Sequence, residues 1–396
     1  MVLASGGVGT RDAGRKWVRL DAAWQDIKLP LLLFLLFRLF LSASVYILSP
    51  LLPASHYGTP WQAMPDQPLL DVLARWDSGW YASIAMSGYR FATDGSSNVA
   101  FLPVYPIAIK TASYLTGNVW VSGILVSNLA FLASLIMLYK LTRLKFGREA
   151  AGRTVLYVSV FPAAFFFFSM YSESVYLLTV VATFYLWERR KGWSAGVFGA
   201  LASLTRPMGI LLFLAGAARQ FIEDRCSPGP RWSWNSLVLL LIPLGFGTFL
   251  VYSYLAFGEP LAFLKSREVG WNEPVTLVPI SHRELFASIV NGTVFAGGVP
   301  RLRLLDAASG IIFLALTIPI FRRLGLSYGV FSLGSVVMPL VANLDGLTRY
   351  VSVIFPGFMI MGLWVPKKPV MVALCSLSAV LMALMASMFA RWYFVG

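Results

Sequence analysis

Long apolar runs, broken by few charges, recur along the whole chain. The first fills about residues 29–49. Others follow at about 119–140, 154–170, 174–188, 193–205, 207–218, 235–257, 304–321, 326–342, 351–366 and 369–390. A bilayer core about 30 Å thick asks for runs of this kind, and only helices or closed barrels satisfy every backbone group inside it. The pattern predicts an all-α integral membrane protein, a polytopic helical bundle of about eleven full or partial crossings. Residues 1–396 read as one membrane domain, with a polar tail at 1–28 and two longer polar stretches at 50–118 and 258–301. Phe101–Leu115 is apolar but short and carries Pro103, Pro106 and Lys110. It reads as a helix lying at the membrane surface, which makes the first long loop helical.

One stripe in that loop breaks the rule of polar loops and apolar spans. At helical spacing, Leu70, Leu73, Asp77, Tyr81 and Ile84 share a face, so Asp77 stands within an apolar surface beside Trp76 and Trp80. An unpaired carboxylate there costs several kcal/mol of desolvation. Either this is an interfacial helix whose Asp faces headgroups, or Asp77 is a general base held at the water–membrane boundary. Arg75, two residues away, points to another side of the helix.

Charge then orients the spans. The net charge of +14 in a chain that is 58% hydrophobic and 13% charged reflects basic loops rather than a nucleic-acid surface. The tail carries Arg11, Arg15, Lys16, Arg19 and Lys28, and the stretch 140–153 carries Lys140, Arg143, Lys145, Arg148 and Arg153. Placing both inside puts most of the 32 Lys and Arg inside and the loops 50–118 and 258–301 outside. Arg38 is left within the membrane, as a snorkelling cation or a partner beneath a site. Two cysteines and two histidines give neither a disulfide framework nor a His-rich metal centre.

The same topology brings further polar residues to the outer face. Glu173 lies at a hairpin tip in Tyr171-Ser172-Glu173-Ser174, where it could also cap a helix. Arg206 precedes Pro207 between two runs too short to cross, so it belongs at the break of a discontinuous hairpin below the surface. Arg349 stands before the run 351–366, with Asp345 four residues earlier as a local salt-bridge partner. Two arginines at helix starts facing one aspartate suit a phosphate-bearing ligand beside a hydroxyl to be deprotonated. A transporter or flippase of a lipid-linked sugar, or of another anionic lipid, would use the same arginines and broken helices.

The ordered set of motifs is similar to one family. Arg75-Trp76-Asp77-Ser78-Gly79-Trp80-Tyr81 is followed by Ala100-Phe101-Leu102-Pro103-Val104-Tyr105-Pro106. Then come Phe161-Pro162-Ala163 through Glu173-Ser174, Thr205-Arg206-Pro207, Gly258-Glu259-Pro260-Leu261-Ala262-Phe263, and Thr348-Arg349-Tyr350 with Phe355-Pro356. This series resembles the PIG-V-like mannosyltransferases, which include GPI mannosyltransferase II and shorter prokaryotic relatives. Many members carry Asn where this chain has Met208.

The resemblance implies a GT-C-like fold and an inverting transfer of mannose, or of another sugar, from a polyprenyl- or dolichyl-phosphate donor to a hydroxyl on the outer face. It carries the acidic catalytic residue onto Asp77. Arg206 and Arg349 are then expected to hold the donor phosphate, and Glu173, Trp76, Trp80, Tyr81 and Tyr350 to orient substrate. Lys265 and Arg267 are expected to gate the donor. No cofactor is expected; a divalent metal is compatible with the carboxylates but not required. The expected partners are the lipid-linked donor, a lipid or glycan acceptor and membrane lipids, with no nucleic acid. The expected location is a multi-pass inner or plasma membrane, or the ER in a eukaryote. The length argues against GPI as the acceptor. The acceptor and the oligomeric state stay open.

Overall fold

The computed structural model describes residues 9–53, 55, 61–92, 97–226, 237–271, 280–293 and 299–396. Among them every regular element is helical. In chain order these are α1 (Gly9–Leu48), α2 (Pro68–Asp71), α3 (Ser78–Ser87), α4 (Val104–Thr116), α5 (Val119–Val160), α6 (Glu173–Glu188), α7 (Gly192–Ser203) and α8 (Leu211–Cys226). There follow α9 (Leu241–Phe257), α10 (Ala262–Trp271), α11 (Ile280–Val290), α12 (Val299–Leu324), α13 (Leu326–Ala342), α14 (Leu347–Val351), α15 (Phe355–Leu363) and α16 (Lys368–Ala390). Short 3₁₀ turns at Pro162–Phe167 and Pro207–Ile210 lead towards α6 and α8.

Four helical segments are long and apolar enough to cross a membrane: Trp24–Leu51, Val119–Val160, Leu302–Leu324 and Lys368–Ala390. A fifth candidate is the bent pair formed by Leu241–Phe257 and Ala262–Gly270, which meet at 76°. The remaining apolar helices are shorter, as the runs around Arg206 predict. Large apolar side chains such as Leu36, Leu255, Ile312 and Leu377 stand exposed on these helices, as a lipid-facing surface requires. Since lipid is as apolar as a core, the inner packing rests on close van der Waals fit. That inner packing is rich in phenylalanine: Phe131 and Phe167 stack at 4.6 Å, and Phe165, Phe166, Phe168, Phe184, Phe331 and Phe355 are fully buried around them.

Four expectations change. The tail and first span are one helix from Gly9, with Pro30 inside it; the first eight residues of the predicted tail lie outside the described residues. The predicted spans 119–140 and 154–170 are arms of a single element, bent where Gly147 takes φ 86°, a left-handed value only glycine adopts freely. Pro162 ends its second arm at Val160. The predicted span 351–366 is instead α14 and α15, separated by Ser352–Ile354. The predicted helix through Asp77 is broken: α2 stops at Asp71, Trp76 takes φ 52°, and α3 starts at Ser78. A helix is present in the stretch 101–115 as α4, which packs on α3 and α5.

Candidate active site

The break at Trp76 decides where Asp77 points. Asp71 accepts from the Ala63 and Met64 amides at 2.7 and 3.0 Å and pairs with Arg75 at 2.5 Å. Arg75 also donates to the Asp71 carbonyl and lies over the Trp392 ring at 5.1 Å. Burial pushes the Asp71 carboxyl up, but the hydrogen bonds and charge of Arg75, with the two amides, leave it below the usual carboxylate range. This buckle ends α2, so Arg75 is spent on Asp71, as its direction on the chain predicts. Tyr171 Oη then donates to the Arg75 carbonyl and accepts from the Asp77 amide, both at 3.3 Å. Ser78 Oγ donates to the Met170 carbonyl at 3.1 Å. The loop is thus clamped against residues 170–172, and Asp77 leads into α3 with its carboxylate free of any capping bond.

Three further charges meet it. Glu173, the first residue of α6, is fully buried, and its Oε1 accepts from both Arg206 Nη1 and Arg349 Nε. Arg349 Nη1 reaches on to Asp77 Oδ2 at 3.0 Å. Arg349 therefore bridges the two carboxylates, and Glu173 bridges the two arginines. Aromatic faces cover the guanidiniums: Arg206 lies over Tyr350 at 5.1 Å, and Arg349 over Tyr171 at 4.6 Å and Phe166 at 4.9 Å. Glu173 Oε2 is buried with no partner.

Local sequence holds each arginine. Arg206 is in extended conformation between α7 and the Pro207–Ile210 turn. Gly209 lets that turn lie on α7: a Cβ there would fall 2.3 Å from the Ala202 carbonyl carbon. Arg349 lies within α14 rather than ahead of a long helix. Asp306 of α12 anchors that segment by accepting from the Gly346 and Thr348 amides at 3.0 and 2.7 Å. Asp345 does not pair with Arg349; it binds Arg303 at 2.6 and 3.1 Å, which releases Arg349 for the site.

A cavity of about 190 Å³ opens over this cluster. Asp77, Arg206 and Arg349 share its wall with Tyr81, Tyr350, Arg267, Phe101 and Phe394, and with the aliphatic Met208, Met338, Pro339 and Ala342. Tyr81 Oη donates to Ser172 Oγ at 2.9 Å, and burial pushes its phenol up, so it stays a neutral donor. Glu173 lies behind the two arginines rather than on the wall. Trp80 stacks on Phe101 at 6.3 Å, one layer back. Trp76 packs against Trp392 and Phe394. Lys265 pairs with Glu259 away from the wall. Arg38 lies over Phe168 at 5.2 Å, off the cavity wall, with Nη1 unpartnered.

Sequence reasoning missed Tyr171, Asp306, Arg303 and the Asp71–Arg75 buckle. Tyr171 adjoins the Glu173 motif and Asp306 is an acid inside an apolar run; both carried a signal.

The helical bundle with a charged cavity at one end has the GT-C glycosyltransferase fold. ArnT from Cupriavidus metallidurans, solved with undecaprenyl phosphate, shares it at a TM-score of 0.50 and 14% identity, over 95% of this chain and 71% of that one. Residues 26–219, which hold Asp77, Glu173 and Arg206, match the mannosyltransferase (PIG-V) family. The chain is 26% identical to mouse GPI alpha-1,6-mannosyltransferase 2 over 218 residues, 48% of this chain and 42% of that protein. It is 33% identical to GPI mannosyltransferase 2 of Cryptococcus neoformans over 144 residues, 34% of each. The matches thus span less than half the length of these relatives.

Proposed function

We propose that the protein is an inverting membrane glycosyltransferase, moving mannose from a polyprenyl-phosphate carrier to a hydroxyl acceptor. The observation that carries this reading is the convergence of Asp77, Arg206 and Arg349 on one cavity, with Glu173 locking the arginines from behind. Asp77 takes the acceptor proton, the freed oxygen attacks the sugar C1, and the bond from C1 to the phosphate oxygen breaks. Arg206 and Arg349 take up the charge that grows on the leaving phosphate. Their aromatic cover strengthens that interaction by keeping water away. The mannosyltransferase relatives support the sugar, and the aliphatic wall at Met208, Met338 and Pro339 supports a lipid-borne donor. Glu173 orients the arginines rather than the substrate. No metal is needed to neutralise a monoester leaving group between two arginines.

Asp77→Asn keeps the shape and removes the base. Turnover of radiolabelled polyprenyl-phosphate mannose by purified protein should fall by about 10²–10⁴-fold with the fold intact. More than a tenth of wild-type turnover would remove Asp77 from the role. The reading also puts the cavity on the outer face. In a variant with Cys226 and Cys375 replaced, a cysteine at the exposed Gln67 should label from outside and one at the exposed Glu149 only after permeabilisation.

A further inference from the structure

The segment 391–396 follows α16, and the chemistry above gives it no part. Yet Phe394 and Gly396 stand on the cavity wall with Asp77 and Arg349. The segment is fixed at its start: Arg391 Nε donates to the Leu52 carbonyl, and the Arg391 carbonyl accepts from the Ser55 amide, both at 3.1 Å. Val395 is buried. The segment is therefore a packed strap beside the site.

Each end of the strap holds one of the reacting charges. Among the described residues, three other than glycine take positive φ: Trp76, Arg190 and Trp392. A bulky residue keeps such a value only where its surroundings impose it, and such residues collect at functional sites. Two of the three touch. Trp76, which precedes Asp77, meets Trp392 with ring centroids 5.6 Å apart. Phe394 meets Trp76 at 5.6 Å as well. Arg75 joins the same contact, with its guanidinium over the Trp392 ring at 5.1 Å and its Nε donating to the Ala390 carbonyl at 3.4 Å. At the far end, the Gly396 backbone oxygen accepts from Arg349 Nη1 at 3.4 Å, the same nitrogen that reaches Asp77 Oδ2 at 3.0 Å. Gly346, just before α14, admits the strap: a Cβ there would fall 2.9 Å from the Gly396 backbone carbon. The strap thus joins the turn before Asp77 to the segment that carries Arg349, parts of the chain 272 residues apart.

This second link matters once substrate enters. A donor phosphate on Arg349 and an acceptor hydroxyl on Asp77 both compete with the Asp77–Arg349 pair. When that pair opens, another connection has to keep the two groups in register, because a misplacement of about 1 Å can cost about a hundredfold in rate. We propose that the strap 391–396 is that connection, with Trp392 a positioning residue that acts through Asp77. This rests on the transferase reading of the cavity and adds what keeps its two charged groups aligned while substrate lies between them.

The test uses full-length protein, radiolabelled polyprenyl-phosphate mannose and a detergent extract of cell envelope as acceptor. In Trp392→Ala, turnover at saturating donor should fall about ten- to a hundredfold while donor KM stays within about threefold. Trp392→Phe keeps a ring against Trp76 and Arg75 and should restore most of the turnover. Added to Asp77→Asn, Trp392→Ala should cost nothing further, because no base is left to position. Losses that multiply in the double variant would overturn the proposal. Hydrogen exchange supplies a readout that needs no transfer: Trp392→Ala should speed exchange at residues 75–78 about tenfold and leave α13 unchanged. Faster exchange at that turn in a protein that transfers no sugar would sustain the strap and sink the transferase reading. Unchanged exchange there with wild-type turnover would overturn the strap and leave the transferase reading standing. Faster exchange throughout the bundle, with a lower Tm, would make Trp392 ordinary packing and overturn the proposal.

Discussion

Helix α6 begins with Glu173 and ends with Glu188, and each glutamate sits between two cations at opposite ends of the bundle. Glu188 Oε2 binds Lys145 at 2.7 Å, and its Oε1 accepts from Tyr328 Oη at 3.1 Å and from Arg219 at 3.5 Å. Both oxygens are used, and α5, α6, α8 and α13 are tied at one point. Glu173 uses one oxygen for both arginines and leaves the other buried and unpartnered. The helix dipole accounts for part of the contrast. A carboxylate is favoured at the amino end of a helix and disfavoured at the carboxyl end, so Glu188 needs more donors than Glu173 does. The other part is burial: Glu188 is partly exposed and Glu173 is not. Similar ingredients thus give a finished structural tie at one end. At the other they give a cluster with an unpartnered buried oxygen that opens onto a cavity.

The comparison predicts unequal responses, the largest at Arg349. Arg349→Ala takes the bridge from both carboxylates and leaves Glu173 with Arg206 alone. Transfer should fall more than about a hundredfold, and losing one partner of a buried pair should lower stability by about 3–5 kcal/mol. Adding Glu173→Gln to the same variant should recover much of the Tm but none of the transfer. A single variant as stable as wild type would mean that Glu173 is not held by this bridge.

Arg206→Lys is the next largest. Lysine keeps the charge but loses the planar group over Tyr350 and its directed contact to Glu173. Donor efficiency should drop roughly tenfold, with acceptor KM little changed, in kinetics at varied donor. Failure confined to acceptor use would assign Arg206 to the acceptor side.

Glu188→Gln probes the opposite end. Glutamine keeps the tyrosine contact and weakens the cation contacts, so Tm should fall by an amount corresponding to about 1–2 kcal/mol while transfer stays within twofold. A larger loss of transfer would erase the distinction between the two ends.

The chain of the site was legible for physical reasons that vary by residue. Asp77, Arg206 and Arg349 stood out because a charge beside an apolar run is costly wherever it lies, and the structure places all three on one cavity. Glu173 was visible as a charge, but not as the link between arginines that lie 33 and 176 residues away. Pairing at that range depends on how the helices pack. Local spacing misled at Asp345, where an available i,i+4 partner lost to Arg303 on α12. It misled again at residues 72–77, where the side-chain stripe favoured a continuous helix. There the Asp71 contacts to the Ala63 and Met64 amides and the Tyr171 hydroxyl on the Arg75 and Asp77 backbone hold the turn, and neither has a periodic signature. The fold class followed from hydropathy alone because lipid leaves helices so few alternatives.

The smallest expected effect concerns that buckle. Asp71 and Arg75 are not on the cavity wall, yet they hold the turn that leads into Asp77. The Asp71 carboxyl sits below its ordinary range: burial raises it, and Arg75 with the Ala63 and Met64 amides more than offsets the rise. A group depressed in the folded state stabilises the fold above its unfolded pKa and loses that contribution as pH falls through its folded value. The contribution should therefore be constant near neutrality and fade only below about pH 4. Tm of the detergent-solubilised protein, followed from pH 7 to pH 3, should show this loss in wild type. In Asp71→Asn the starting Tm should be lower and the acid-dependent fall shallower. Parallel curves for the two proteins would mean that Asp71 adds no pH-dependent stability, and that the turn before Asp77 is held by Tyr171 and the loop packing instead.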